Sequence, residues 1–355
     1  MNPLRSMRLV PLRPFWGLLA AGFILRVLAA VLVSDAEMWE FRIIAANLVS
    51  GHGYAINLFI RETHPTAFVP PAYTYLVAGT FAMVGDTTAA RIFLLGLNCL
   101  VGTLSAMVIY LLGRETVGTR AGWIAAALWL LFPTWIFSAA RFHTVILYTA
   151  GAALVTWLIL RQAQADDRRQ ARNLALAAGL AAGVMCLFRG EYPLVFTTLC
   201  GWVLVSSRVV PLPRRLLAGV LALSMMGVVL LPWVIRNYAT FQRIIPVTSS
   251  GGYNLWRGHN PDATGTGRWA WGTGQGAGVA PPKALLQAFR AAHPQADAGW
   301  ELYLNDRMGQ LAREFIRDHP RQELILAAKK LFYFWGTDLT HPFARSRETA
   351  RVTGA

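Results

Sequence analysis

The sequence predicts an all-α, polytopic membrane protein. Three observations carry that reading: a composition too apolar for a soluble globule, a series of apolar runs of spanning length, and basic residues gathered in the loops between them. Of 355 residues, 55% are hydrophobic and only 14% are charged, too few charges to coat an ordinary globule. The net charge of +15 comes mostly from arginine, with lysine only at 283, 329 and 330. Basicity of this kind can mark nucleic-acid binding. Here the arginines sit in short loops between apolar runs, where they orient a membrane protein. Nucleic acid is therefore not an expected partner, and membrane lipid is. Cys99, Cys186 and Cys200 fall inside apolar runs without CxxC or Cys/His spacing, which argues against a disulfide framework or a structural zinc site.

A crossing helix needs roughly 17–25 apolar residues. Phe15–Val33, Ile92–Leu112, Ala121–Ala139, Val145–Leu160, Leu174–Phe188, Pro193–Val205 and Leu216–Ile235 meet or nearly meet that length, which predicts about seven transmembrane helices. Arg5, Arg8 and Arg13 before Phe15 resemble a signal peptide. The apolar run is long and no small-residue cleavage site follows cleanly, so a retained anchor is expected. One further stretch, Pro71–Gly85, is apolar but short and opens on Pro-Pro. The arginines decide whether it crosses. If it lies along the interface, Arg114 and Arg120, the Arg161–Arg172 loop (RQAQADDRRQAR), and Arg208, Arg214 and Arg215 all fall on the N-terminal, inner side, as the positive-inside rule requires. If it crosses, that richest basic loop lands outside. Pro71–Gly85 is therefore expected as an interfacial helix, with the N-terminus cytoplasmic. The outer face then receives 34–90, the turns at 140–144 and 189–192, and everything after Arg236. This divides the chain into a transmembrane module, 1–235, and an outer-face segment, 236–355.

In the first outer loop, Phe41, Ile44, Ala45 and Leu48 recur at helical spacing, predicting an amphipathic helix over Glu37–Val49 that lies on the membrane and ends at Gly51-His52-Gly53. Pro246–Pro282 is Gly- and Trp-rich and reads as a loop with tight turns. Ala284–Asp318 is helical in pattern, with Leu302, Leu304, Met308, Leu311 and Phe315 as its apolar positions. Leu324–Trp335 is apolar but interrupted by Lys329-Lys330, so it is expected as an interfacial helix rather than a crossing.

Candidate chemistry gathers on the outer side. Asp35, Glu37 and Glu40 fall within six positions after the first span, and a carboxylate at a membrane boundary is costly unless solvated or used. A structural reading stands beside the functional one: Ser34-x-x-Glu37 has the spacing of a capping box, with Asp35 in the first turn. The outer-side cations are Arg61, His64, Arg91, Arg141, His143, Arg189, Arg236 and Arg257. Arginine offers phosphate a planar fork of donors and stays charged near lipid. Arg189 follows Phe188 at the mouth of one span, and Arg236, with Asn237 beside it, closes another. Their structural alternative is snorkelling or local pairing, Arg189 with Glu191 in particular. Arg26, in mid-span, reads as snorkelling or as satisfied by a neighbouring helix. The Gly-rich stretch 250–267 carries Asn254, Asn260 and Asp262 but no Walker or dinucleotide pattern, which argues against nucleotide. Trp256, Trp269 and Trp271 suit stacking on a sugar, or anchoring at the interface.

Several motifs then stand in a fixed order: Asp35-x-x-x-Trp39 after the first span, AANLVSGHGY (45–54), FVPPAYTYLVAG (68–79), FRGEYP (188–193), PWVIRNY (232–238) and PVTSSGGYNLWRGHNPDATG (246–265). This ordered set resembles the C-type glycosyltransferase superfamily, in particular a bacterial branch similar to the lipid A aminoarabinose transferases and the protein O-mannosyltransferases. The resemblance implies a seven-span module with interfacial helices in its first loop. It also implies a bacterial inner-membrane enzyme that moves a sugar from a polyprenyl-phosphate donor to a glycan, lipid or protein acceptor at the outer face. It makes Asp35 the base, with Glu37 and Glu40 as auxiliaries, and Arg189, Arg236, Arg141, His143, His64 and Asn237 candidate substrate or phosphate contacts.

Three departures accompany it. Phe68-Val69 stands where the aminoarabinose branch has an acidic-basic pair, and Arg141-Phe142-His143-Thr144 stands where many relatives have a second carboxylate. Relatives also continue with further spans, whereas this chain stops at Ala355. The first two remove the usual acidic pairing around a divalent cation, which puts a metal in doubt and leaves His143 able to bind phosphate directly in its place. The third leaves a shortened protein, a piece of one, or a form that needs a partner. A lipid-linked sugar flippase and a non-catalytic scaffold are the rival classes. A transporter would place charge in mid-membrane across paired halves, whereas these acids sit in a loop.

A cysteine introduced beside Arg168 is expected to react with a membrane-impermeant reagent only from the inner side. Labelling from the outside would overturn this arrangement of the loops.

Overall fold

The computed structural model describes residues 12–33, 38–57, 62–206, 210–263, 265, 283–292 and 298–336. Their elements, in chain order, are α1 (Leu12–Val33), α2 (Trp39–Val49), β1 (Ala55–Ile56), β2 (His64–Pro65), α3 (Pro71–Val84), α4 (Thr88–Thr116), α5 (Thr119–Leu131), α6 (Pro133–Ala139), α7 (Val145–Ala163), α8 (Arg168–Phe188), α9 (Tyr192–Ser206), α10 (Leu212–Phe241), α11 (Gly251–Gly258), α12 (Lys283–Ala292), α13 (Ala298–Asp318) and α14 (Pro320–Gly336). They fall into two compact units. One comprises the described residues of Met1–Trp39 and Pro70–Trp233, the other those of Glu40–Val69 and Val234–Ala355.

The first unit is helix on helix. Among the described residues, α1, α4, α7, α8 and α10 are long and apolar enough to cross a membrane. The expected third span, Ala121–Ala139, is not one straight helix. It breaks at Phe132 into α5 and α6, bent by 53°. The cause is Pro133, which forces the preceding residue out of the helical region: Phe132 has ψ 124°. Counting the pair as one span makes six. The expected sixth span, Pro193–Val205, appears as α9, an apolar helix of 15 residues, shorter than a full crossing requires. Pro71–Gly85 forms α3, also short at 14 residues.

Arg26 is the hub of this unit. Its guanidinium is fully buried and donates to Gly22 O (3.0 Å), Leu130 O (2.9 Å) and Trp129 O (2.9 Å). Two of these bonds repair the break in α5–α6. The Trp129 carbonyl would accept from residue 133, but proline has no N–H, and the bend takes residue 134 away from Leu130. Arg26 supplies both missing donors where water cannot. Trp129 Nε1 donates in turn to Gly102 O at 2.8 Å, tying α5 to α4. Gly102 has to stay small, since a Cβ there would stand 3.2 Å from Arg26 Nε. Close packing continues where α4 meets α5, because a Cβ on Gly122 would come within 2.6 Å of Tyr110 O. Small residues let apolar helices approach where lipid offers no hydrophobic drive.

The second unit is held by side chains of α11–α13. Buried Tyr253, Leu285, Trp300, Leu304 and Met308 form its core, with Phe68 and Trp256 packed against them. β1 and β2 make a short antiparallel ladder, Ala55 opposite Pro65 and Ile56 opposite His64. The expected helix near Glu37–Val49 is present as α2, with Ile44 and Ala45 buried, followed by left-handed Gly51 (φ 84°) and Gly53 (φ 75°). Leu304, Met308 and Phe315 face inward on α13 as their spacing predicts. The stretch read as loop is corrected in part, because Gly251–Gly258 is the helix α11. Its first amides are capped from outside, by Asn305 Oδ1 accepting from Gly252 N–H (2.6 Å) and Tyr253 N–H (3.3 Å). Gly252 permits that approach, since a Cβ on it would lie 2.0 Å from Asn305 O.

Replacing Arg26 by Met leaves the Trp129 and Leu130 carbonyls without donors and should cost about 2–5 kcal/mol. Lys, a point charge with a single terminal nitrogen, should recover only part of that. Thermal midpoints of the three proteins in detergent check this, and equal midpoints for Arg26 and its Met variant would refute the role.

Candidate functional site

Of the three acids singled out in the sequence, Asp35 and Glu37 lie outside the described residues, as do Arg61, Trp269 and Trp271. Glu40 is described, half-buried at the first turn of α2. Burial pushes its carboxyl above the ordinary range, against lesser lowering by a hydrogen bond with its own backbone and by the charge of Arg257. The Arg257 guanidinium lies 5.8 Å from the Tyr253 ring centroid. Glu40 therefore faces the α11 cation, and a carboxyl raised by burial is a better proton acceptor than a solvated one.

A second grouping stands in the first unit, at the turn between α6 and α7 and the mouth of α8. Asn98 Nδ2 donates to Arg141 O at 2.8 Å, and the His143 amide to the same oxygen at 2.9 Å, so the turn is held from α4. His143 is kept below its usual range by desolvation and by the charges of Arg189 and Arg141. Its side chain is solvent-exposed, so the two guanidinium groups are the cause that the geometry supports best. The imidazole stands in the field of both guanidinium groups, which disfavours its charged form. Arg189 Nε donates to Glu191 Oε1 at 2.5 Å, and its guanidinium lies 5.3 Å from the Tyr148 ring centroid. The local pair that was the structural alternative for Arg189 is therefore present. Arg141, His143 and Arg189 nonetheless converge on one place, with electrostatics suited to an anion.

Arg236, Asn237 and His64 are in the second unit and are otherwise engaged. Arg236 donates to Thr66 O (2.7 Å), Tyr54 O (2.9 Å) and Asn237 Oδ1 (3.0 Å). Asn237 is fully buried, and its Nδ2 donates to Ile245 O at 2.9 Å. Both ends of that amide are thus spent on protein, and in this conformation Asn237 presents nothing to a ligand. Arg236 binds the 54–66 segment to the end of α10, which is a positioning role. His64 is buried, its Nδ1 3.2 Å from Glu62 O. It lines a small pocket with Phe68, Tyr253, Trp300, Glu301 and Asn305.

Glu301 was not singled out from the sequence. It is 5% exposed and accepts from Thr66 Oγ1, Ser249 Oγ and the Ala67 amide, the last at 2.8 Å. One carboxylate therefore joins three separate stretches of the second unit. Desolvation pushes it above the ordinary carboxylate range, with the hydrogen bonds from Ser249, Thr66 and Ala67 and the charge of Arg236 opposing. Its signal was in the spacing. Glu301 falls in register with the buried Leu304, Met308 and Phe315 of α13, and an acid on an apolar stripe demands partners.

Among the described residues, five helices of spanning length fit a multi-pass membrane protein. Residues 68–233, a little under half of the chain, match the profile of the family described as dolichyl-phosphate-mannose-protein mannosyltransferase. The resemblance read from the motifs is thereby borne out over that stretch. No curated protein and no solved structure matched the chain.

Removing the Glu301 carboxylate by Ala strands Thr66 Oγ1, Ser249 Oγ and the Ala67 N–H, and should cost about 2–4 kcal/mol. Gln, which keeps an acceptor oxygen, should cost less. The raised carboxyl holds its proton in the folded state more firmly than in the unfolded one. Its contribution is therefore complete below the unfolded value, near pH 4.3, and is lost as pH rises through the folded value. The stability of the native protein relative to Glu301→Gln should fall over that window, measured by detergent unfolding against pH. A difference that rises with pH would contradict the assignment.

Proposed function

We propose that the protein transfers a sugar from a polyprenyl-phosphate-linked donor to an acceptor hydroxyl or phosphate at the outer face of a bacterial inner membrane. The observation that carries this reading is the match of 68–233 to a family whose description names a prenyl-phosphate-linked sugar. A seven-span module, with α9 as the short span, and interfacial helices in the first loop complete the proposed arrangement. Such a donor is already activated. In the transfer, the acceptor oxygen bonds to the anomeric carbon, the bond from that carbon to the phosphate oxygen breaks, and the lipid phosphate leaves as an anion. The protein has to take the acceptor's proton and neutralise charge on the leaving phosphate.

Asp35 is the proposed base, with Glu37 and Glu40 as auxiliaries. The field of Arg257 at Glu40 gives this acid a cation that lowers its proton affinity from the level burial alone would set. Arg141, His143 and Arg189 are the proposed phosphate contacts. A phosphate arriving there competes with Glu191 for Arg189, exchanging one anion for another without leaving a guanidinium unpaired. Proton transfer to His143 would become easier as that second anion arrives. His64, Arg236 and Asn237 serve in this reading as supports, since their polar atoms already hold the 54–67 and 245 backbone.

Comparison by mass spectrometry of envelope glycans, glycolipids and glycoproteins with and without the gene tests the reading, and identical profiles would end it. If a product is found, Asp35→Asn should lower its formation by about 10²–10⁴-fold, and Arg189→Ala by about 10²–10³-fold, with membrane insertion unchanged in both. Undiminished product from Asp35→Asn would move the base to Glu37 or Glu40.

A further inference from the structure

In α14 the polar and apolar sides are reversed relative to a helix that rests on protein and faces water. Glu323, Leu326 and Lys330, spaced to fall on one stripe, form its packed side. Glu323 Oε2 stands 2.6 Å from His259 Nδ1. Lys330 Nζ donates to Gly258 O at 2.8 Å and stands 3.3 Å from His259 Nε2. Leu326 is buried beside them. The opposite stripe is apolar: Leu324, Ile325, Leu331 and Phe332 are each between 50% and 73% exposed. Glu323 and Lys330 face the protein, and Leu324, Ile325 and Leu331 are exposed on the other side.

What covers that side follows from three facts. The helix has 17 residues, at the lower limit for a crossing, and carries Lys329 and Lys330 in its second half, a charge pair that argues against a place in the hydrocarbon core. Lys329 is exposed along the side of the apolar stripe and Arg321 at its N-terminal end, where cations meet anionic headgroups and long side chains can snorkel to them. The chain also enters this unit from α10, a helix of spanning length, so a bilayer is an apolar phase this protein already meets.

We propose that α14 is seated in a lipid surface. Its Leu324–Ile325–Leu331–Phe332 face lies about 5–10 Å into the headgroup–acyl boundary of an anionic bilayer, with Arg321 and Lys329 at phosphate level. The Glu323–His259–Lys330 cluster is the fastening on the other side. It ties the lipid-seated helix to the C-terminal end of α11, the helix that carries Tyr253 and Arg257, so that α11 is held at a fixed distance from the lipid surface. This inference needs neither the donor nor the reaction proposed above.

The test uses the full chain with Cys99, Cys186 and Cys200 replaced by Ala. A single Leu331→Cys carries an environment-sensitive fluorophore, with Gln310→Cys on α13 as the comparison. Both positions are exposed or half-exposed surface, so neither substitution removes a core side chain. The proteins are reconstituted into phosphatidylcholine vesicles containing phosphatidylglycerol and either shallow or deep brominated chains. The Leu331→Cys label should be quenched several-fold more by shallow than by deep bromines and be shielded from aqueous iodide, while the Gln310→Cys label is quenched by iodide. Equal iodide quenching at the two positions would overturn the proposal in favour of a water-facing side. Quenching dominated by deep bromines would replace it with a crossing helix. A disulfide between Leu331→Cys of two chains, with lipid quenching lost, would assign the face to a second copy of this chain.

Discussion

A guanidinium with no water around it depends on other protein groups for its hydrogen bonds, and in this protein Arg26 finds carbonyls that themselves lack donors. The break before Pro133 creates two free carbonyls in the last turn of α5, and Arg26 from α1 satisfies both. Each defect would be expensive alone in an apolar medium. Together they form a joint that gathers α1, α4 and α5, with Trp129 adding its bond to Gly102. The bend that this joint makes affordable carries the chain through α6 to the turn that holds Arg141 and His143. The cationic turn thus depends on a charge buried in the first span.

The second unit repeats the principle with the opposite sign. Glu301 is the buried charge and its partners are donors, two hydroxyls and an amide from distant stretches. Arg236 does complementary work on carbonyls of Tyr54 and Thr66. The segment 54–67 is therefore held from both sides, its carbonyls by an arginine and its donors by a glutamate. Because that segment follows α2, the position of Glu40 rests on the same two residues. Arg236 and Asn237, which stand in one of the motifs, are also part of the frame that orders this loop.

Periodicity and composition made the helices legible. Apolar runs of spanning length, the 41–44–45–48 face of α2 and the 304–308–315 stripe of α13 all follow from side-chain spacing, which is a local property. The break at Pro133 was also local, yet it was passed over because an apolar run reads the same whether straight or bent. Gly251–Gly258 was read as loop because glycine is a poor helix former, and its helix is supported by Asn305, more than 50 residues further along. Glu301 escaped for the same reason: nothing near it in sequence announces Thr66 and Ser249.

By itself the sequence determined the class of this protein: mostly helical, with runs of membrane-spanning length, and with motifs in an order that resembles a glycosyltransferase family. Tertiary structure decided which charged groups are consumed in holding the chain. Charge and spacing are properties of residues, whereas a hydrogen-bond partner is a property of place. Arg189 acts on the turn of His143, Arg236 and Glu301 hold one loop, and Arg26 meets the carbonyls of a broken helix only because the fold brings those distant residues together.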